Sequence, residues 1–111
     1  MVTEKRLERI LFEIVEAIKV KYAPERIILY GSFAYGIPDE NSDIDLLIIK
    51  KTPERPLDRR VRVRRIVDIR DPSYPAFSPL VLTPEEIKRR LEIGDQFIQE
   101  ILTKGEVLYA R

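Results

Sequence analysis

Between Glu4 and Tyr22 the apolar residues Leu7, Ile10, Leu11, Ile14, Val15 and Ile18 recur at steps of three and four, forming one stripe of a helix. Thr3 offers an N-cap oxygen; Pro24 stops the helix and pushes Ala23 toward extended geometry. Ile27-Ile28-Leu29-Tyr30 is an unbroken apolar run before Gly31, which suits a short strand buried on both faces. Residues 32–36 read as the first turns of a short helix, and Gly36, Pro38, Asp39, Asn41 and Ser42 supply turn chemistry. Asp43 to Ile49 reads as a second buried strand, closed by Lys50 and Lys51.

Residues 53–71 carry two patterns. Val61, Val63, Val67 and Ile69 alternate with charged positions as in a strand, but Arg65 and Ile66 break the alternation. A helix from about Leu57 to Ile69 is preferred, because a crossover is needed here and no other segment is long enough to supply it. Phe77 to Leu82 is a third strand, with Pro79 arguing for an edge or a bulge. Thr83-Pro84-Glu85-Glu86 starts a helix with a capping box and ends near Glu92, where Gly94 stops it. Asp95 caps a last helix carrying Phe97, Ile98, Ile101 and Leu102; Gly105 ends it, and Val107-Leu108-Tyr109 forms a final short strand. The order predicts one domain over residues 1–111, an α/β (α+β) fold with a small mixed sheet flanked by helices.

Composition narrows the chemistry. Histidine and cysteine are absent, which removes His-based acid–base work, Ser-His-Asp triads, thiolate metal sites and disulfides. Carboxylate, lysine, tyrosine and a carboxylate-bound metal remain. The 20 basic and 19 acidic residues nearly cancel, so no global charge draws the chain to nucleic acid or membrane. From Lys50 to Arg65 eight basic residues face only Glu54 and Asp58, but no aromatics are interleaved for base stacking, and a solvated helix face is the plainer reading. Without an apolar targeting or membrane-spanning run, a cytoplasmic location is expected.

The chemistry concentrates in Gly31-Ser32 and Asp43-Ile44-Asp45. Gly31 can take backbone angles closed to other residues and lets a phosphate approach the main chain; Ser32 offers a hydroxyl and an N–H at a helix N-terminus. On a strand, Asp43 and Asp45 project to the same side, and two carboxylates so close repel each other unless a cation lies between them. Mg²⁺ suits such a pair, with substrate phosphates completing its shell. The plainer alternative makes Asp43 a turn cap and Asp45 a solvated edge residue, but Asp45 enters a strongly apolar strand.

Gly31-Ser32, Gly36 and Ser42-Asp43-Ile44-Asp45-Leu46 together resemble the signature of the DNA polymerase beta nucleotidyltransferase superfamily, and the length resembles its minimal prokaryotic members. The resemblance implies transfer of a nucleotide from a nucleoside triphosphate, ATP being the expected one, to a hydroxyl. Gly31 and Ser32 would bind the triphosphate, and Asp43 and Asp45 would hold Mg²⁺. Many minimal members are antitoxins paired with a small helical HEPN-type toxin, which would be the protein partner here; self-association is a further option. The family also uses a third carboxylate on a later strand as metal ligand and base. Ser78 stands at that position, with Asp68 and Asp71 as substitute candidates. Two readings therefore stand: an active metal-dependent nucleotidyltransferase, or the same fold, weak in catalysis, acting as an antitoxin or subunit of a two-protein complex.

Overall fold

A computed structural model describes residues 4–68 and 72–111. Its elements run α1 (Glu4–Tyr22), β1 (Arg26–Tyr30), a 3-10 turn (Gly31–Phe33), β2 (Ile44–Ile49), α2 (Pro56–Ile66), β3 (Phe77–Leu82), α3 (Pro84–Glu92), α4 (Gln96–Lys104) and β4 (Glu106–Ala110). The four strands form one sheet in the order β3-β2-β1-β4. β1 is antiparallel to both β2 and β4, while β2 and β3 are parallel, so the sheet is mixed. The ambiguous segment is a helix: α2 carries the chain from β2 to its parallel neighbour β3, as the geometry of a parallel pair requires.

Alternating strand residues feed two cores. Ile27, Leu29, Ile44, Leu46, Ile48 and Val81 face α1 and the Val63 side of α2. Ile28, Leu47, Ile49 and Leu82 face Ile87 of α3 and Ile98 and Ile101 of α4. Helices thus cover both faces, which explains why β1 and β2 are apolar at nearly every position. Pro79 lies in an edge strand, where its missing N–H is tolerated.

Several local readings change. Ala23 is not extended but has φ 51°, taking the left-handed position after α1 that glycine usually fills. The short helix expected at 32–36 is a single 3-10 turn, so it has no macrodipole to offer an anion. β2 begins at Ile44, leaving Asp43 just outside the strand. The Thr3 cap and Asp71 lie outside the described residues.

The capping box at Thr83 is present in full: the Glu86 N–H donates to Thr83 Oγ1 (3.1 Å) and the Thr83 N–H donates to Glu86 Oε1 (2.8 Å). That same carboxylate accepts from Nη1 of Arg59 at 2.6 Å, and Arg59 also donates to the Glu54 carbonyl at 2.7 Å. The Arg59 side chain is only 7% exposed, so one buried guanidinium ties the start of α2 to the start of α3. Burial alone would raise the Glu86 pKa, but the Thr83 N–H and the Arg59 guanidinium together hold it below the usual carboxylate range. Glu86→Ala is expected to cost about 2 kcal/mol in urea unfolding, because it leaves Arg59 buried without its counter-charge and removes half the cap. Arg62→Ala, which removes the exposed pair with Glu54, should leave the transition unmoved.

Candidate functional site

The register of the central strands builds the site. In the β1–β2 pairing Tyr30 stands opposite Asp45, so the chain turns at Gly31 directly beside that carboxylate. Gly31 has φ 75°, a conformation that disfavours any side chain, and a Cβ there would overlap Asp45 Oδ2. The glycine-serine turn and Asp45 are therefore in contact, as the sequence pattern predicts. In the β2–β3 pairing Asp45 lies beside Ser78. Asp45, Ser78 and Tyr30 share the face that continues into Leu47, Leu80 and Ile28, where α3 and α4 cover the rest of the sheet.

Asp43 is exposed and stands at the entry to β2. It does not cap the preceding turn. Asp39 does that, accepting from the Asn41 N–H at 2.8 Å, while the Ser42 hydroxyl accepts from the Asp39 N–H at 2.9 Å. Asp45 is half-buried on an interior strand, not a solvated edge residue. Burial raises its pKa, and the nearby charge of Asp43 raises it further. Tyr30 is pushed up to about 12 by burial, then by the charge of Asp45 and by Tyr35, so its hydroxyl stays protonated at neutral pH.

Among the described residues, no basic side chain pairs with Asp43 or Asp45. Two hard carboxylates that repel each other, lack a protein cation and adjoin an open glycine turn fit a divalent cation such as Mg²⁺, whose remaining ligands would be phosphate and water. A set of three metal-binding side chains is not found among the described residues. Asp68, the first substitute for the missing carboxylate, follows α2 and shares a cavity with Ile10, Glu13 and Ile14 of α1, on the opposite side of the sheet. Ser78 is thus the residue beside Asp45. Tyr30 directly precedes Gly31 in the sequence, but nothing in the sequence shows that Phe97 joins it, its ring meeting the Tyr30 ring edge-on at 5.7 Å between centroids.

A larger cavity, about 580 Å³, lies away from this site, lined by Lys21, Glu54, Asp58, Arg62 and Arg65 between α1 and α2. The carboxylates instead occupy an open ledge at one end of the sheet. No helix among the described residues is long and apolar enough to cross a membrane.

The sheet order, the crossover and this glycine–carboxylate ledge describe a nucleotidyltransferase fold. The match to the family described as "Polymerase beta, Nucleotidyltransferase" runs over residues 13–111, and the chain belongs to that family. It is 37% identical over 112 residues to a Methanocaldococcus jannaschii protein named "Putative protein adenylyltransferase MJ1305", covering 97% of this chain and 75% of that protein. A second protein of the same organism, "Putative protein adenylyltransferase MJ0604", is 31% identical over 107 residues, covering 92% of this chain and 97% of its own length. A Sulfolobus solfataricus crystal structure described as a "putative nucleotidyltransferase" shares the fold, with a TM-score of 0.63 at 24% identity over 93% of this chain and 79% of that one.

The raised pKa of Asp45 fixes the sign of a stability effect. A carboxyl whose pKa rises on folding favours the folded state only below its unfolded pKa, and that contribution is lost as pH rises through the folded value. At pH 7 the ionised, metal-free Asp45 therefore opposes folding. Asp45→Asn is expected to raise the melting temperature of the metal-free protein by about 3 °C at pH 7, with the gain shrinking as pH falls toward 4. Gly31→Ala should lower it at either pH, through the strained φ and the overlap with Asp45.

Proposed function

We propose that this chain binds a nucleoside triphosphate with Mg²⁺ on the Gly31–Asp45 ledge and transfers the nucleotide to a hydroxyl, with ATP as donor and a protein side chain as acceptor. The observation that carries this reading is the contact between the Gly31 turn and the Asp45 carboxylate, with Asp43 near enough to raise the Asp45 pKa. The adenylyltransferase names of the two archaeal relatives favour AMP as the group transferred and a protein as its acceptor.

In this reading the open backbone at Gly31 and the Ser32 hydroxyl receive the triphosphate oxygens, and Asp43 and Asp45 hold the cation. Mg²⁺, when bound, would offset charge on the reacting and departing phosphates. The acceptor oxygen forms a bond to the α-phosphorus as the bond to the bridging oxygen breaks, and pyrophosphate departs. The acceptor proton needs a destination, and Ser78, where the family's resemblance puts a carboxylate, is no base. Transfer through this site is accordingly slow, with the proton passing to solvent.

That same serine favours a second reading, in which the chain binds the nucleotide without transferring it and works in the cytoplasm as the antitoxin-like subunit of a complex with a small helical protein. Incubation with Mg²⁺ and α-labelled ATP, alone and with the product of a neighbouring gene, tests both. The first reading predicts metal-dependent labelling that Asp43→Asn abolishes and that Ser78→Asp raises about 100-fold by restoring a base. Labelling that persists in Asp43→Asn would refute Asp43 as a ligand. Metal-dependent binding with no labelling, even in Ser78→Asp, would establish the binding module.

A further inference from the structure

The aromatic pair beside the ledge has a use that packing does not explain. Tyr30 is the strand partner of Asp45, and its ring is met edge-on by Phe97, with centroids 5.7 Å apart and planes at 82°. Phe97 sits in the first turn of α4, where its N–H donates to the Asp95 cap at 2.9 Å, so its backbone is fixed. Its neighbours Ile98 and Ile101 are fully buried and already anchor the helix to the sheet. Phe97 nonetheless leaves 46% of its surface in solvent, a large exposed ring on the side of the sheet that carries Tyr30 and Asp45.

We infer that Phe97 is the platform on which the base of the bound nucleotide stacks, with Tyr30 bracing the ring from its edge. This rests on the nucleotide-binding reading above and extends it to the base. Tyr30 pairs with Asp45 and touches Phe97, so a nucleoside extending from a triphosphate at Gly31 and Asp45 toward α4 would meet this ring. An aromatic face accepts any base, so the contact adds affinity for nucleotides over bare polyphosphate without selecting among them through hydrogen bonds.

Calorimetric titration with Mg–ATP and with Mg–tripolyphosphate, which has the phosphates and no base, separates the possibilities. Phe97→Ala is expected to weaken ATP about 10-fold or more while leaving tripolyphosphate within about twofold of wild type, and Phe97→Trp is expected to restore ATP affinity. Phe97→Leu, which keeps an apolar side chain of similar bulk without a π-face, should fall with the alanine variant and guards against loss of fold as the cause. Unchanged ATP affinity in Phe97→Ala would overturn the inference while leaving the phosphate site standing. Equal losses for both ligands would also overturn it, reducing the ring to a support of the fold. Failure of the wild type to bind either ligand would remove the nucleotide-binding reading itself, and this inference with it.

Discussion

The pairing of Tyr30 with Asp45 across β1 and β2 is the constraint from which the candidate site follows. Strand side chains alternate, so a slip of one residue would carry Asp45 into the core beneath α1 and turn Ile44 toward the ledge. An ionised carboxylate in that core would have no partner, and Ile44, fully buried in the observed register, would lose its burial. The acid that gives the site its chemistry therefore also helps select the register that builds it. Gly31 completes the arrangement, because its left-handed backbone brings the chain off β1 against the carboxylate with no side chain to intervene.

The rest of the fold leaves that end of the sheet open. α3 and α4 pack over the half of the face occupied by Leu47, Ile49 and Leu82, and the Arg59–Glu86 pair holds the α2–α3 region at the far end of β3. The crossover through α2 then sets Ser78 beside Asp45. A parallel neighbour placed this way would be well positioned to add a third carboxylate to the site, and this chain has a hydroxyl there. The ledge as built holds Asp45 with its pKa raised by burial and then by the charge of Asp43, which is the state a metal–triphosphate complex would relieve.

Much of this was legible in the sequence because it is local. The stripe of Ile10, Ile14 and Ile18, the capping box at Thr83 and Glu86, the Asp95 cap and the edge position of Pro79 each follow from neighbours within a few residues, and each stands as read. The glycine turn and the strand carrying Asp45 were also found, with Asp43 one residue before its start, as was Ser78 beside Asp45. The helix α2 was read from the need for a crossover, against a valine–arginine alternation over 61–69 that imitates a strand until Val63 and Val67 are seen packing on the sheet from α2 and its end. What escaped depends on contacts distant in the chain. The buried partner of Arg59 lies 27 residues away at Glu86, and periodicity along α2 gives no sign of it. Phe97 was placed on the last helix with no further role, since nothing near it in sequence points to Tyr30. Ala23 broke a steric preference before proline that the ending of α1 overrode.

The proposed function puts the metal and phosphates at the acid pair beside Gly31, not in the basic groove between α1 and α2, where Lys21, Arg62 and Arg65 also invite an anion. A crystal structure with Mn²⁺ and a non-hydrolysable ATP analogue decides between them, because manganese marks its own position by anomalous scattering. The account predicts an anomalous peak held by the carboxylates of Asp43 and Asp45, with the triphosphate against the Gly31–Ser32 turn. A peak or a nucleotide found only in the α1–α2 groove, with the acid pair bare, would contradict it.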